Sequence, residues 1–164
     1  MLTTDHYYNN YINVVKDFPL PMALQQGHDR YRELFDELTE EQWGHRYAPG
    51  KWSIKEVVQH VIDAERIFTY RALCFARGEQ QNLPPFEEDD YVANSRADAR
   101  TGKQIAEEFS LVRQSTIALF SSFDAIALVS EGVANSTQVS VTEIGYIQAG
   151  HSLHHLKVIR ERYL

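Results

Sequence analysis

Cysteine is nearly absent from this sequence: Cys74 is the single one among 164 residues. One cysteine excludes a disulfide within the chain and a zinc site built from several thiolates. A metal site would therefore have to use histidine or carboxylate ligands. Cys74 itself lies between Leu73 and Phe75, a setting more typical of a small core side chain than of a nucleophile.

Basic residues are also in the minority, with 16 Lys and Arg against 23 Asp and Glu, which gives a net charge of −7. This balance argues against a nucleic-acid-binding surface, which needs a basic stripe. No apolar run approaches the roughly 20 residues of a membrane helix. The first residues also lack the basic and apolar segments of a secretory signal. We therefore expect a cytoplasmic protein that binds neither nucleic acid nor membrane.

The alternation of apolar and polar residues that is typical of β-strands is missing as well. Residues 138–141 come nearest to it, but there a helix-capping pattern takes precedence. Apolar residues instead recur at helical spacing in four long stretches, which predicts an all-α four-helix bundle. The stretches are residues 22–38, 53–77, 102–123 and 140–163.

Shorter helices are expected at the N-terminus, over residues 4–17, and between the first two long helices, after Thr39. Residues 1–164 together are long enough for one domain with a sizeable core. Residues 79–100 are expected to form the longest irregular segment, and residues 124–139 a connection. The aromatic residues within 83–91 are a candidate wall of a pocket or a candidate dimer contact.

Two of the long helices have strong start signals. Ser53 and Ser140 are each followed three residues later by a glutamate, the pattern of a capping box. Because the starts are defined, the inward face of each helix can be assigned. On the fourth helix that face contains His151 and His155, which are one turn apart.

His60 faces inward on the second helix. In a bundle, His60, His151 and His155 can therefore meet in the interior and provide three neutral nitrogen ligands. Three histidines with an open fourth position are the pattern of a catalytic metal site. The alternative is a set of core histidines that are satisfied by hydrogen bonds. His28, on the first long helix, is expected to be partly exposed.

Helical geometry also suggests which residues support this site. Asp63, Gln148 and His154 are candidates for contacts to the ligands, although Asp63 can instead form a surface ion pair. Glu65 lies roughly 140° from His60 around the helix and should not reach the same metal. The acidic run of residues 87–90 is more typical of a solvated surface than of a cation site.

Two segments carry a family resemblance: APGKWSIKEVVQHVIDAERIF (residues 48–68) and GHSLHHL (residues 150–156). They resemble the signature of the DinB/YfiT-like superfamily, and the resemblance extends from about residue 20 to residue 164. It implies a four-helix bundle, often a homodimer, with a divalent metal bound by His60, His151 and His155. Relatives include thiol-dependent transferases and isomerases, as well as proteins regarded as metal-dependent hydrolases.

Three functions remain open at this point. The first is a metalloenzyme with a divalent ion, Zn²⁺ or Ni²⁺, whose charge lowers the pKa of a water to roughly 7 or deprotonates a thiol. The glutamate base of the His-Glu-x-x-His motif is replaced by Ser152, which favours S-transfer from a low-molecular-weight thiol to a small electrophile over hydrolysis. The second is a non-catalytic metal or ligand binder, such as a stress-related protein. The third is a purely structural domain.

Overall fold

The structure, a computed structural model, describes residues 6–164, and side chains are described from residue 8 onward. Within these residues four long helices form the bundle: α2 (Leu20–Glu37), α4 (Ile54–Ala76), α6 (Gly102–Ser121) and α8 (Val141–Arg162). The remaining elements are α1 (His6–Val15), α3 (Glu40–Trp43), α5 (Glu88–Ser95), α7 (Ala125–Val129), β1 (Glu131–Ala134) and β2 (Thr137–Ser140). The predicted all-α four-helix bundle is thus confirmed.

The short helices α1 and α3 occupy the two predicted places, although residues 4 and 5 of the predicted first helix lie outside the described residues. Helix α1 packs on α8, and α8 in turn packs on α4 and α2. The C-terminal helix is therefore the central element of the fold. Its inward residues are largely buried, among them Ile144, Ile147 and Ile159.

The helix starts follow the capping boxes predicted at Ser53 and Ser140. The Ser53 hydroxyl accepts from the Glu56 N–H at 3.1 Å, while Glu56 accepts from the Ser53 N–H at 2.9 Å. Ser140 and Glu143 form the same pair of bonds, at 3.2 and 2.8 Å. These bonds satisfy N–H groups that have no partner within the helix.

The predictions of two irregular segments are wrong in part. Within residues 79–100 the chain forms helix α5 and a 3₁₀ turn at Ala97–Ala99. The first turn of α5 contains Glu88, Asp89 and Asp90, whose negative charges are favourable at the positive end of a helix dipole. The acidic run therefore helps to start a helix rather than remaining irregular.

Residues 124–139 are also more ordered than predicted, because they contain α7 and most of an antiparallel β-hairpin. In the hairpin Glu131 pairs with Ser140, and Ala134 pairs with Thr137. Asn135 and Ser136 have φ angles of 50° and 59°, as a two-residue hairpin turn requires. Leu83 adds a parallel bridge to Ala134, so this turn is fastened to the segment that precedes α5.

Candidate metal centre

His60 lies in the second turn of α4 and is only 2% exposed. The capping box at Ser53 fixes where this helix begins, and so fixes the height of His60 in the bundle. The ring of Trp52 lies against it, with the ring centres 5.1 Å apart. The position of His60 is therefore set both by the start of its helix and by the ring of Trp52.

His151 and His155 lie on α8, one turn apart, as their spacing predicts. His151 is buried, and His155 is half-buried. The edge of Tyr11 from α1 contacts the His151 ring, with the ring centres 5.4 Å apart. Because α8 packs against both α1 and α4, these two imidazoles face His60 across the interior.

The three imidazoles meet through their Nε2 atoms. Nε2 of His151 is 3.2 Å from Nε2 of His60 and 3.1 Å from Nε2 of His155. Two nitrogens bound to one tetrahedral ion at about 2.05 Å would be roughly 3.3 Å apart. The spacing of the nitrogens therefore fits a divalent metal ion, and the three histidines are arranged so that they can hold one.

Hydrogen bonds between the three rings satisfy the Nε2 atoms less well than a metal ion would. A nitrogen of a neutral imidazole has either one proton or one lone pair. Nε2 of His151 can therefore take part in only one of its two short contacts at a time. A metal ion would instead accept the lone pairs of all three nitrogens.

Burial keeps the imidazoles neutral. It lowers the pKa of His60 to about 4, against the smaller opposing effect of the Asp89 charge. Burial, together with the charges of His60 and His154, lowers the pKa of His155 to about 3. The pKa of His151 is well below 6.5, first because its ring is buried and second because of the charges of the neighbouring histidines. Neutral imidazole is the form that binds metal.

The residues predicted to support the ligands have other partners. The Asp63 carboxylate accepts from Gln59 at 2.9 Å and lies 3.8 Å from Arg66. Gln148 donates to the carbonyl of Glu65 at 2.9 Å. Neither has a hydrogen bond to the three imidazoles within residues 8–164. His154 is exposed, although its ring contacts that of His155 with the centres 5.2 Å apart.

The prediction for Glu65 agrees with the structure, whereas that for His28 is wrong. Glu65 lies apart from the histidine cluster and pairs with Arg113. His28 is 7% exposed rather than partly exposed. Its helix packs against both α6 and α8, which covers a face that was expected to be open.

A cavity of about 220 Å³ opens beside His60 and His151. Its walls come from α1, α4, α8, the segment before α5, the first residue of α5 and the turn of the hairpin. The lining residues are Tyr8, Tyr11, His60, Ala64, Phe68, Arg71, Pro85, Phe86, Glu87, Glu88, Asn135 and His151. Within the segment 83–91, which was predicted to form a pocket wall or a dimer contact, residues 85–88 line this cavity, and the dimer contact stays a prediction.

Sequence reasoning missed two charged residues of this cavity. A carboxylate oxygen of Glu88 lies 3.9 Å from Nε2 of His60. The side chain of Arg71 is only 5% exposed. Glu88 was missed because it belongs to the acidic run of residues 87–90, a pattern typical of a solvated surface. Arg71 does have a signal in the sequence, since it lies eleven residues after His60 and hence on the same helix face.

No described helix is both long and apolar enough to cross a membrane.

Solved structures share the fold. YfiT from Bacillus subtilis, described as a probable metal-dependent hydrolase with an unusual four-helix bundle topology, aligns with a TM-score of 0.67 and 16% identity. The alignment covers 96% of this chain and 86% of YfiT. A mycothiol-dependent maleylpyruvate isomerase aligns with a TM-score of 0.71 and 13% identity, over 87% of this chain but only 61% of the isomerase. At these identities the likeness establishes the fold alone.

Curated proteins give no match to the chain. A family model does: that of the DinB superfamily matches residues 23–159, which include α4, α8 and all three histidines of the cluster. The chain belongs to the DinB superfamily.

Proposed function

We propose that this protein is a metal-dependent enzyme in which His60, His151 and His155 bind one divalent ion, zinc or nickel. We further propose that it transfers a low-molecular-weight thiol to a small electrophile. The observation that carries the proposal is the meeting of three neutral Nε2 atoms, two of them on buried rings that line a cavity. Three protein ligands leave a coordination position for a substrate.

The bound ion would supply a positive charge that lowers the pKa of a thiol held in its open position. Neutral ligands leave that charge undiminished, and the three imidazoles are neutral because they are largely withdrawn from water. Phe68 and Tyr11 contact the ring of His151 from the cavity side. They limit the access of water to the reacting sulfur.

Glu88 is suited to accept the proton that the thiol releases. Its carboxylate lies beside His60, and its pKa is raised by partial burial and by the charges of Asp89 and Glu87. A raised pKa makes a carboxylate a better base near neutral pH. The sulfur then forms a bond to carbon, and the leaving group of the electrophile departs with the electron pair of its broken bond.

Hydrolysis is the second candidate, and Glu88 is the observation that favours it. The sequence argument for transfer over hydrolysis was the missing glutamate base at Ser152. A carboxylate 3.9 Å from His60 can fill that role for a water as well as for a thiol. The description of YfiT as a probable metal-dependent hydrolase is consistent with this alternative.

The first test is the metal content of protein purified without chelator, measured by plasma mass spectrometry. We expect about one zinc or nickel ion per chain, lost in His60→Ala, His151→Ala and His155→Ala. His154→Ala is the matched control, because His154 is exposed and adjacent to His155. Wild-type protein that stays free of metal after incubation with Zn²⁺ and Ni²⁺ would refute the proposal.

The second test concerns the reaction. Metal-loaded protein is assayed with a panel of small thiols and a chromogenic aryl halide, and separately with small esters and amides in the absence of thiol. Thiol-dependent product that disappears in His60→Ala supports transfer, whereas thiol-independent cleavage supports hydrolysis. A loaded protein that is inactive in both assays supports the non-catalytic metal or ligand binder instead.

We also propose that the protein is a cytoplasmic homodimer, following the family resemblance and the composition. Sedimentation equilibrium tests the oligomeric state. A mass near 19 kDa would contradict the dimer, since one chain is 18.9 kDa. Fractionation of cells that express the tagged chain tests the location.

A further inference from the structure

One face of α4 forms the floor of the cavity. His60, Ala64, Phe68 and Arg71 lie at positions i, i+4, i+8 and i+11, which fall within about 80° of one another around the helix. All four line the cavity. Ala64 has the smallest side chain of the four, so it leaves space directly above His60. His60 and Arg71 are separated by roughly 16 Å along the helix axis.

Arg71 is a buried cation for which residues 8–164 provide no acidic partner. It is 5% exposed, and one of its Nη atoms donates to the carbonyl of Pro84 at 2.6 Å. Its guanidinium lies 5.7 Å from the centre of the Phe68 ring. Its guanidinium has no carboxylate within 4 Å among these residues, whereas the fully buried Arg113 pairs with Glu65.

A buried charge without a counterion is costly, because the desolvation of the charge is not offset. Burial lowers the pKa of Arg71, but arginine remains a cation in proteins. The guanidinium also has five N–H donors in a planar fork, which matches the two oxygens of a carboxylate. A bound anion would offset the cost of burial and use this fork.

The cavity also contains two carboxylates, Glu87 and Glu88, but both are exposed at its mouth. Water screens their charges strongly, whereas it screens that of the buried Arg71 weakly. The carboxylate of Glu88 also lies 3.9 Å from Nε2 of His60, at the His60 end of the cavity. The positive end of the cavity is therefore the Arg71 end.

We propose that Arg71 forms an anion subsite, and that a substrate of this enzyme carries a carboxylate some two to three helical turns from its reacting atom. The proposal rests on the proposed function, because the reacting atom is assumed to lie at the three histidines. It narrows the substrates to elongated small molecules with an anionic end. The carboxylate can belong either to the thiol or to the electrophile.

Binding of model thiols tests the subsite. Zinc-loaded protein is titrated calorimetrically with ω-mercaptocarboxylates of increasing chain length and with the matching ω-mercaptoalcohols. We expect the best carboxylate to bind at least tenfold more tightly than its alcohol, as for a charged hydrogen bond. Arg71→Gln should abolish this preference, and Arg71→Lys should retain part of it because it keeps the charge but not the fork.

Arg66→Gln is the matched control, because Arg66 lies on the same helix but is exposed and outside this cavity. It should leave the preference unchanged. Electrophiles are compared in the same way, as benzyl halides with a para-carboxylate or a para-hydroxymethyl group. A preference among thiols assigns the carboxylate to the thiol, and one among halides assigns it to the electrophile. Equal affinities in both series, or a preference that survives Arg71→Gln, would overturn the proposal.

Failure of the proposed function gives a different result. Hexanoate and hexanol contain no thiol, and they can be compared on the His60→Ala protein, in which the metal ligand set is broken. A preference for hexanoate that requires Arg71 supports an anion subsite even if no metal binds. Thiol binding without any preference for the carboxylate leaves the metalloenzyme intact and removes the subsite.

Discussion

The guanidinium of Arg113 and the carboxylate of Glu65 form a buried bidentate pair between α6 and α4. Nε of Arg113 donates to one carboxylate oxygen at 2.8 Å, and Nη2 donates to the other at 2.7 Å. Nη1 donates to the carbonyl of Leu24 on α2 at 3.1 Å. Three helices of the bundle are thus joined at one point, where Glu65 is unavailable as a metal ligand.

Breaking this pair should destabilise the fold strongly. Arg113→Met leaves Glu65 buried without a counterion, so the free energy of unfolding should fall by about 3–5 kcal/mol. The double variant Arg113→Met with Glu65→Leu removes both charges and should recover most of the loss. Urea unfolding measures both. A double variant no more stable than the single variant would contradict this account.

Acid should destabilise the metal-free protein through His60. The pKa of His60 is about 4 in the folded state, against 6.5 for an ordinary histidine. As the pH falls below 6.5 the unfolded chain takes up a proton first, so stability falls towards pH 4 and levels off below it. Between pH 7 and pH 4.5 the loss due to His60 is on the order of 2 to 3 kcal/mol.

The comparison that isolates this effect uses His60→Gln, which removes the titrating group and leaves the other ionisable residues in place. Urea unfolding of both proteins at pH 7, 5.5 and 4.5, with chelator present, should give a shallower pH dependence for the variant. Identical slopes would mean that His60 is protonated in the fold as readily as in water.

Metal binding should raise thermal stability if it occurs only in the folded chain. At a free zinc concentration one hundred times the Kd, the gain is about 2.7 kcal/mol. For a protein of this size that corresponds to a rise in Tm of roughly 5–10 °C. Scanning calorimetry with zinc and then with excess chelator should show a reversible shift. His151→Ala should show none, whereas His154→Ala should behave as the wild type does.

Gly150 should tolerate no side chain, because α1 and α8 approach closely there. A Cβ at this position would lie 2.1 Å from the backbone oxygen of Tyr11. In Gly150→Ala the two helices must separate, which should cost about 1–3 kcal/mol and shift the neighbouring His151. We expect reduced zinc affinity together with reduced stability.

Gly44→Ala is the control for this change. A Cβ at Gly44 would meet its nearest neighbour, the carbonyl oxygen of Glu41, at 3.6 Å, which is an ordinary contact. Its stability should change by less than about 0.5 kcal/mol, and its zinc affinity should not change. Equal effects of the two substitutions on zinc binding would show that the approach at Tyr11 does not position His151.

The bundle and the histidine cluster were predictable because they depend on local rules. The capping boxes at Ser53 and Ser140 define where two helices begin, and helical periodicity then gives the inward direction of His60, His151 and His155. The likeness of the 48–68 and 150–156 segments to a family agreed with these rules. The role of the three histidines as ligands stays a prediction.

The rest depends on contacts between segments distant in the sequence. The hairpin was missed because Ser140 both ends β2 and caps α8, and the capping pattern was the stronger local signal. Arg113 was missed because a charged residue on a core face is interpretable only when its partner is known. Glu88 belongs to an acidic run that is typical of a solvated surface, and only the fold places it beside His60.

The separation of helices from non-helical segments around the cavity has a consequence for how the protein can be altered. The histidines lie on α4 and α8, whereas one wall is made by residues 85–87 and the hairpin turn, and these two segments are linked through Leu83 and Ala134. These two segments can be exchanged together as a cassette while the three histidines and Glu88 stay in place. Under the proposed function, the residues of this wall and the residues that bind the metal lie in separable parts of the chain, so libraries that randomise the cassette should change substrate preference and leave zinc binding intact.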